Sequence, residues 1–93
     1  MVERGYRFSP EEKARIHKTL MEDKLLPDFG LEVEKVSYTD GCKVYFKGGW
    51  VVSRFSGTEP LLRVFCEMDT DQRAAETARH MELFLGLEGR NIE

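Results

Sequence analysis

Three turn signals divide the middle of the sequence into short alternating runs, and they constrain the fold more than any other feature. They are Asp40-Gly41, Gly48-Gly49 and the loop over residues 56–60. Asp-Gly and Gly-Gly pairs readily adopt the backbone conformations that tight hairpin turns require. Because turns this short join antiparallel neighbours, we expect four successive strands in an antiparallel meander.

The strands are predicted from runs of β-branched and aromatic residues that alternate with polar ones. The predicted runs are residues 31–38, 43–47, 50–55 and 61–68. One face of the last run is apolar and should be buried; it carries Leu62, Val64 and Cys66. In the first run the alternation changes face between Val33 and Val36, and a bulge near Glu34-Lys35 would explain the change.

Capping signals place one helix on each side of these strands. Ser9-Pro10 followed by Glu12 is a capping box with proline in the first turn, so we expect a helix from Pro10 to about Asp23 or Lys24. Thr70 suits the cap of a second helix, whose apolar stripe recurs at spacings of three and four. The stripe consists of Ala74, Ala78, Met81 and Leu85.

The element order is therefore α-β-β-β-β-α, in which two amphipathic helices can cover one face of the sheet. This order predicts an α+β fold: a two-layer sandwich of a four-stranded antiparallel sheet and two helices. The 93 residues suffice for a single domain over residues 1–93, with its core over about residues 9–86. Residues 90–93 are expected to be frayed.

Composition narrows the possible partners. The net charge of −3 argues against nucleic acid, whose binders are usually basic. Two cysteines are fewer than a secreted domain of this size usually carries, so we expect reduced thiols and a cytoplasmic location. No apolar run approaches the ~18 residues of a membrane span, so no membrane partner is expected. The cysteines and histidines lack zinc spacing, and we expect neither a metal nor a cofactor in this domain.

The loop between the third and fourth predicted strands has the composition of a phosphate site. Arg54 and Arg63 flank it, and on an antiparallel hairpin these positions would let both guanidinium groups converge on one anion. Ser56 and Thr58 offer hydroxyl donors. Gly57 would let the backbone turn so that successive N–H groups point the same way.

The same segment also suits a purely structural role. Ser-Gly-Thr-Glu-Pro is common turn chemistry, and arginines on strands are usually solvated or ion-paired. Glu59 would repel an anion, so we expect it to point away and to pair with a basic side chain. His17 and His80 are expected to have structural or surface roles. From the residues alone, a phosphate site and an ordinary turn both remain open.

Residues 54–67, RFSGTEPLLRVFCE, resemble the signature of the last domain of the α-D-phosphohexomutases. This family includes phosphoglucomutase, phosphomannomutase and phosphoglucosamine mutase. Its pattern is Arg, any residue, Ser, Gly or Asn, Thr, then typically Glu-Pro and a second Arg. Phe55 stands where many members have proline. Asp40-Gly41 and residues 50–53 also fit the family, and the resemblance covers about residues 9–86.

The resemblance implies that Arg54, Ser56, Gly57 and Thr58 bind the phosphate of the substrate, with Arg63 assisting. Enzymes of the family transfer phosphate between C1 and C6 of a hexose through a bisphosphorylated intermediate, and this loop would hold the phosphate that is not reacting. The family's phosphoserine, magnesium loop and sugar-reading loop belong to other domains.

We therefore expect a C-terminal domain of a larger phosphohexomutase, an isomerase that uses magnesium. The domain by itself would carry no catalytic residue and would not be catalytic. Its expected partners are a phosphosugar substrate and the remaining domains of the enzyme.

A small α+β binding module for single-stranded nucleic acid or a protein partner is the main alternative. Tyr45 and Phe65 could stack bases on the uncovered sheet face, with Lys43 and Lys47 beside them. The sequence has no RNA-recognition consensus, and its net charge has the wrong sign for this function.

Overall fold

The computed structural model describes residues 1–92, which fold into one antiparallel sheet with both helices packed against the same face. In chain order the elements are β1 Val2–Arg7, α1 Pro10–His17, β2 Lys35–Ser37, β3 Cys42–Phe46, β4 Gly49–Phe55, β5 Leu61–Glu67 and α2 Asp71–Phe84. The strand order across the sheet is β1-β5-β4-β3-β2. The predicted α+β class and the antiparallel meander from β2 to β5 are confirmed. The meander places the β4–β5 hairpin, with its loop, in the middle of the sheet.

The sheet has five strands within the described residues, and the prediction of four was wrong because it missed β1. β1 pairs with β5 from Val2↔Cys66 to Arg7↔Leu61. Its sequence, VERGYR, offers little local signal, since a glycine and three charged residues interrupt the alternation. Tyr6 is nevertheless fully buried in the core. The strand forms because β5 supplies a partner from the far end of the chain.

The first predicted strand is much shorter than expected. β2 covers only Lys35–Ser37, and residues 31–34 precede it without strand structure. The predicted bulge near Glu34-Lys35 was therefore wrong, because no strand exists there whose alternation could change face. Pairing begins just before β2, where the Glu34 N–H donates to the Tyr45 carbonyl oxygen at 2.8 Å.

The capping box at the start of α1 is present as predicted. The Glu12 N–H donates to Ser9 Oγ at 3.2 Å, and the Ser9 N–H donates to Glu12 Oε1 at 3.0 Å. The α-helix ends at His17, earlier than predicted, and continues as a π-helical turn over Lys18–Glu22. Lys24, with a φ of 54°, then ends the helical segment.

Helix α2 matches its predicted cap and stripe. Thr70 Oγ1 accepts a hydrogen bond from the Arg73 N–H at 3.1 Å. The stripe residues are all buried: Ala74, Ala78, Met81 and Leu85. Gly86, with a φ of 72°, ends the helix, and the Leu87 N–H donates back to the Glu82 carbonyl at 2.9 Å.

The segment after α2 is ordered against β1, so the prediction of frayed ends was wrong for residues 90–92; Glu93 lies outside the described residues. The Ile92 N–H donates to the Gly5 carbonyl at 2.8 Å, and the Arg90 guanidinium donates to Glu12 and to the Arg7 carbonyl. Leu87 joins the buried core. No helix in residues 1–92 is long and apolar enough to cross a membrane.

Candidate functional site

The loop between β4 and β5 is held in shape by Ser56. The Ser56 N–H donates to the Leu61 carbonyl at 2.8 Å and closes the loop across its base. Its Oγ accepts hydrogen bonds from the N–H groups of Thr58 and Glu59 at 3.3 and 3.2 Å. A hydroxyl oxygen that accepts two hydrogen bonds is fixed in place and still carries a proton that it can donate. Ser56 therefore organises the loop without losing its capacity to bind an anion.

A cleft of about 350 Å³ lies between this loop and the start of α1. Its lining comprises Phe8, Pro10, Lys13, Ser56, Gly57, Thr58, Glu59 and Pro60. Within residues 1–92, the Gly57 N–H and the Thr58 hydroxyl have no hydrogen-bond partner. The predicted residues Ser56, Gly57 and Thr58 thus meet at one cleft, and each has a donor available.

The backbone at Gly57 does not itself require glycine. Its φ lies outside the left-handed range, and a Cβ built at this position would meet no atom within 4 Å. A requirement for glycine here would therefore come from the close approach of a ligand rather than from the turn.

The two predicted arginines are directly opposite each other, because Arg54 pairs with Arg63 in the β4–β5 register. Their guanidinium groups bind different carboxylates: Arg54 Nη1 donates to Asp40 Oδ2 at 2.9 Å, and Arg63 Nη1 donates to Glu3 Oε1 at 3.3 Å. Asp40 belongs to the β2–β3 turn and Glu3 to β1, which lie on opposite sides of the hairpin. The strands bring the arginines together as expected, whereas their convergence on one anion stays a prediction.

The β2–β3 turn packs closely against the backbone of β4 at Ser53 and Arg54. Gly41 has a φ of 75°, and a Cβ there would lie 2.4 Å from the Ser53 carbonyl oxygen and 2.6 Å from Arg54 Cβ. Only glycine fits this approach. The contact places Asp40 within reach of the Arg54 guanidinium.

Phe55 connects the hairpin to α1. Its ring packs edge-on against Phe8 with centroids 5.4 Å apart and stacks on His17 at 6.4 Å. Lys13 Nζ lies 5.6 Å from the Phe55 centroid and also lines the cleft. The sequence gives no local sign that Lys13 lies here, because its position depends on how α1 packs against the hairpin. His17 has the structural contact expected of it.

The face of the sheet opposite the helices carries aromatic rings with cations over them. Lys43 Nζ lies 5.0 Å from the Tyr45 centroid and 4.4 Å from that of Trp50. The Arg54 guanidinium carbon lies 5.4 Å from the centroid of Phe65. This face is accessible, but the chain's own cations already occupy positions over its rings.

Within the described residues, Cys42 and Cys66 are further candidates for metal ligands or reactive thiols. Among the residues that the structure describes, no cluster of three or more His, Cys, Asp and Glu side chains could hold a metal ion. Cys42 and Cys66 are both fully buried, and burial raises the pKa of each thiol to about 11. Both cysteines therefore belong to the core.

Comparison with known proteins identifies the same family that the motif in the β4–β5 loop resembles. Residues 10–83 match the family model described as the phosphoglucomutase/phosphomannomutase C-terminal domain. Over 42 residues the chain is 48% identical to a phosphoglucomutase/phosphomannomutase of Thermococcus kodakarensis, which covers 45% of this chain and 9% of that protein. Over 43 residues it is 42% identical to a probable phosphoglucosamine mutase of Methanopyrus kandleri, which covers 46% of this chain and 10% of that protein.

These alignments span a tenth or less of each relative's length, whereas the family model covers most of the chain. The chain therefore belongs to the family of phosphoglucomutase/phosphomannomutase C-terminal domains.

Proposed function

We propose that this domain binds the phosphate of a phosphorylated hexose within an enzyme that interconverts hexose 1-phosphate and hexose 6-phosphate. The loop would hold the phosphate that is not being transferred, so that the other end of the sugar is positioned for reaction. Binding a remote group in this way contributes to catalysis by orienting the reacting atoms.

The observation that carries the proposal is the set of available donors at one cleft. The Ser56 hydroxyl is fixed by two backbone N–H groups, and the Gly57 N–H and the Thr58 hydroxyl are unpaired within residues 1–92. A phosphate group offers several strong acceptor oxygens, and hydrogen bonds to an ionised acceptor are about twice as strong as neutral ones. Three donors on adjacent residues suit such a ligand.

Arg54 can join the site by exchanging Asp40 for the phosphate. The side chains of Arg54 and Asp40 are 45% and 76% exposed, and exposed ion pairs contribute only about 0–1 kcal/mol. A phosphate carrying more charge than a carboxylate competes well for a planar guanidinium. The arginine would then contact the ligand in the bound state and the aspartate in the free state.

The site is suited to binding rather than to bond making. Ser56 Oγ accepts from two backbone N–H groups, and in residues 1–92 no histidine or lysine hydrogen-bonds to it as a general base would. The residues of this domain would hold and orient the substrate, while phosphoryl transfer and its magnesium ion would belong to other domains of the enzyme.

A titration with inorganic phosphate, followed by ¹H–¹⁵N NMR of the labelled chain, tests the proposal. The amide signals of Ser56, Gly57 and Thr58 should shift first and saturate with a Kd on the order of 1 mM, equivalent to about −4 kcal/mol. Ser56→Ala should abolish the shifts at Gly57 and Thr58. Largest shifts elsewhere in the chain, with the loop unaffected, would refute the proposal.

The aromatic rings on the sheet face opposite the helices favour a second candidate function, the binding of single-stranded nucleic acid. Its support is the set of rings of Tyr45, Trp50 and Phe65, which have Lys43 and Arg54 over them. Because those cations lie over the rings, a base would have to displace them before it could stack. An electrophoretic shift assay with single-stranded RNA at low salt separates the candidates, and a salt-sensitive shift would favour the module.

A further inference from the structure

We propose that Lys13 of helix α1 is a further phosphate-contacting residue of this cleft. The inference rests on the proposed function, because it assigns an additional contact to the same ligand. It extends the site from one hairpin loop to two separate elements, the loop and the N-terminal half of α1.

The position of Lys13 is fixed by the start of α1. The capping box between Ser9 and Glu12 sets the first turn, and the Phe8 N–H donates to the Pro60 carbonyl at 3.4 Å, which ties this turn to the end of the loop. Lys13 follows immediately and lines the cleft with Ser56, Gly57 and Thr58.

Charge makes Lys13 important to the cleft. Among the described residues that line the cleft, Lys13 carries the single positive charge and Glu59 the single negative one. Arg54 and Arg63 do not line the cleft, and in this structure their guanidinium groups contact Asp40 and Glu3. Without Lys13, an incoming anion would therefore meet a lining of net negative charge.

The ammonium group is also available. Within residues 1–92, Lys13 forms no salt bridge, and its Nζ lies over the ring of Phe55, 5.6 Å from the centroid. Phe55 keeps the long side chain beside the loop, yet a cation over this partly exposed ring is held weakly enough to move onto a phosphate oxygen. The lysine stem is flexible and its ammonium has three donors.

The test is phosphate titration of Lys13→Gln by the same NMR measurement. We expect the Kd for inorganic phosphate to rise about fivefold or more, because a charge-assisted hydrogen bond is lost. Its dependence on salt concentration should also weaken. Lys13→Arg should restore most of the affinity.

Lys18→Gln is the matched control, since Lys18 is on the same helical segment but pairs with Asp23 and does not line the cleft. It should bind phosphate as the unmodified chain does. Unchanged affinity in Lys13→Gln, while the loop amides of the unmodified chain still shift, would overturn the role of Lys13 alone. Absence of any loop response in the unmodified chain would overturn the proposed function as well.

Discussion

Arg54 of β4 and Asp40 of the β2–β3 turn form a hydrogen-bonded ion pair with 2.9 Å between Nη1 and Oδ2. Gly41 makes this pair possible, because its lack of a side chain lets the turn approach the backbone of β4. A carboxylate of the chain thus pairs with the arginine that we propose to bind the phosphate. The pair gives a direct test of whether Arg54 changes partner.

Asp40→Asn should bind inorganic phosphate more tightly than the unmodified chain. Removing the carboxylate removes a competitor for Arg54 and a negative charge near the ligand, so we expect the Kd to fall about twofold to fivefold at low ionic strength. The free energy of unfolding should change by less than about 1 kcal/mol, because the pair is exposed. NMR titration and urea denaturation measure the two quantities.

Asp69→Asn provides the control for that experiment. Asp69 pairs with Arg73 at 3.2 Å and follows the end of β5 that lies away from the loop. Its removal changes the net charge equally but should leave phosphate binding unchanged. Weaker phosphate binding by Asp40→Asn would mean that Asp40 orients Arg54 rather than competes for it.

Gly41→Ala and Gly57→Ala should have opposite consequences. At Gly41 a methyl group would collide with β4 and the positive φ would be strained, so we expect a loss of roughly 1–3 kcal/mol of stability. At Gly57 the methyl group meets no neighbour, so stability should be nearly unchanged while phosphate binding weakens. Thermal unfolding and phosphate titration of both variants distinguish these effects, and a destabilised Gly57→Ala would contradict the loop geometry.

Stability should decline in acid partly through Glu12. The hydrogen bond from the Arg90 side chain lowers the pKa of Glu12 from 4.5 to about 2, and the hydrogen bond from the Ser9 backbone contributes the next largest part of this shift. Because the folded-state pKa is lowered, the stabilisation is present above about pH 4.5 and is lost as the pH falls toward 2. Urea midpoints across this range should fall less steeply for Glu12→Gln than for the unmodified chain.

Glu11→Gln is the matched control for the acid titration. Glu11 precedes Glu12 in the same first turn, but its carboxylate makes no hydrogen bond or ion pair within residues 1–92. Its variant should follow the pH profile of the unmodified chain. An identical profile for Glu12→Gln would show that the contact with Arg90 does not persist in solution.

Cys42 and Cys66 should be inert in the folded protein. Burial raises the pKa of both thiols to about 11, and the thiolate is the reactive form. At about pH 8 a thiol-specific disulfide reagent should label neither cysteine in native conditions and both in denaturant. Rapid labelling of the native chain would indicate that the core opens locally.

Local sequence signals were sufficient for much of the fold. The caps at Ser9 and Thr70 are short-range features that the structure contains, and its hairpin turns lie at Asp40-Gly41 and, one residue earlier than predicted, at Lys47-Gly48. β1 was missed because its stability comes from pairing with β5, about sixty residues later, rather than from its own composition. The end of α1 was misplaced because a π-helical turn has no clear sequence pattern.

The candidate site also combines residues that a local motif identifies with residues that only the tertiary structure brings together. Ser56, Gly57 and Thr58 are consecutive, and a motif can therefore identify them. Lys13 and Asp40 reach the hairpin through the packing of α1 and of the β2–β3 turn. Their involvement is a property of tertiary structure and could not be obtained from spacing along the chain.

β1 has one more consequence, which concerns solubility. It pairs with β5 from Leu61 to Cys66 and satisfies backbone groups that would otherwise form an open sheet edge. A chain trimmed to residues 9–86, the core that local patterns suggest, would expose β5 and its alternating apolar residues as a template for strand addition. Such a fragment should aggregate at concentrations where the 93-residue chain stays in solution.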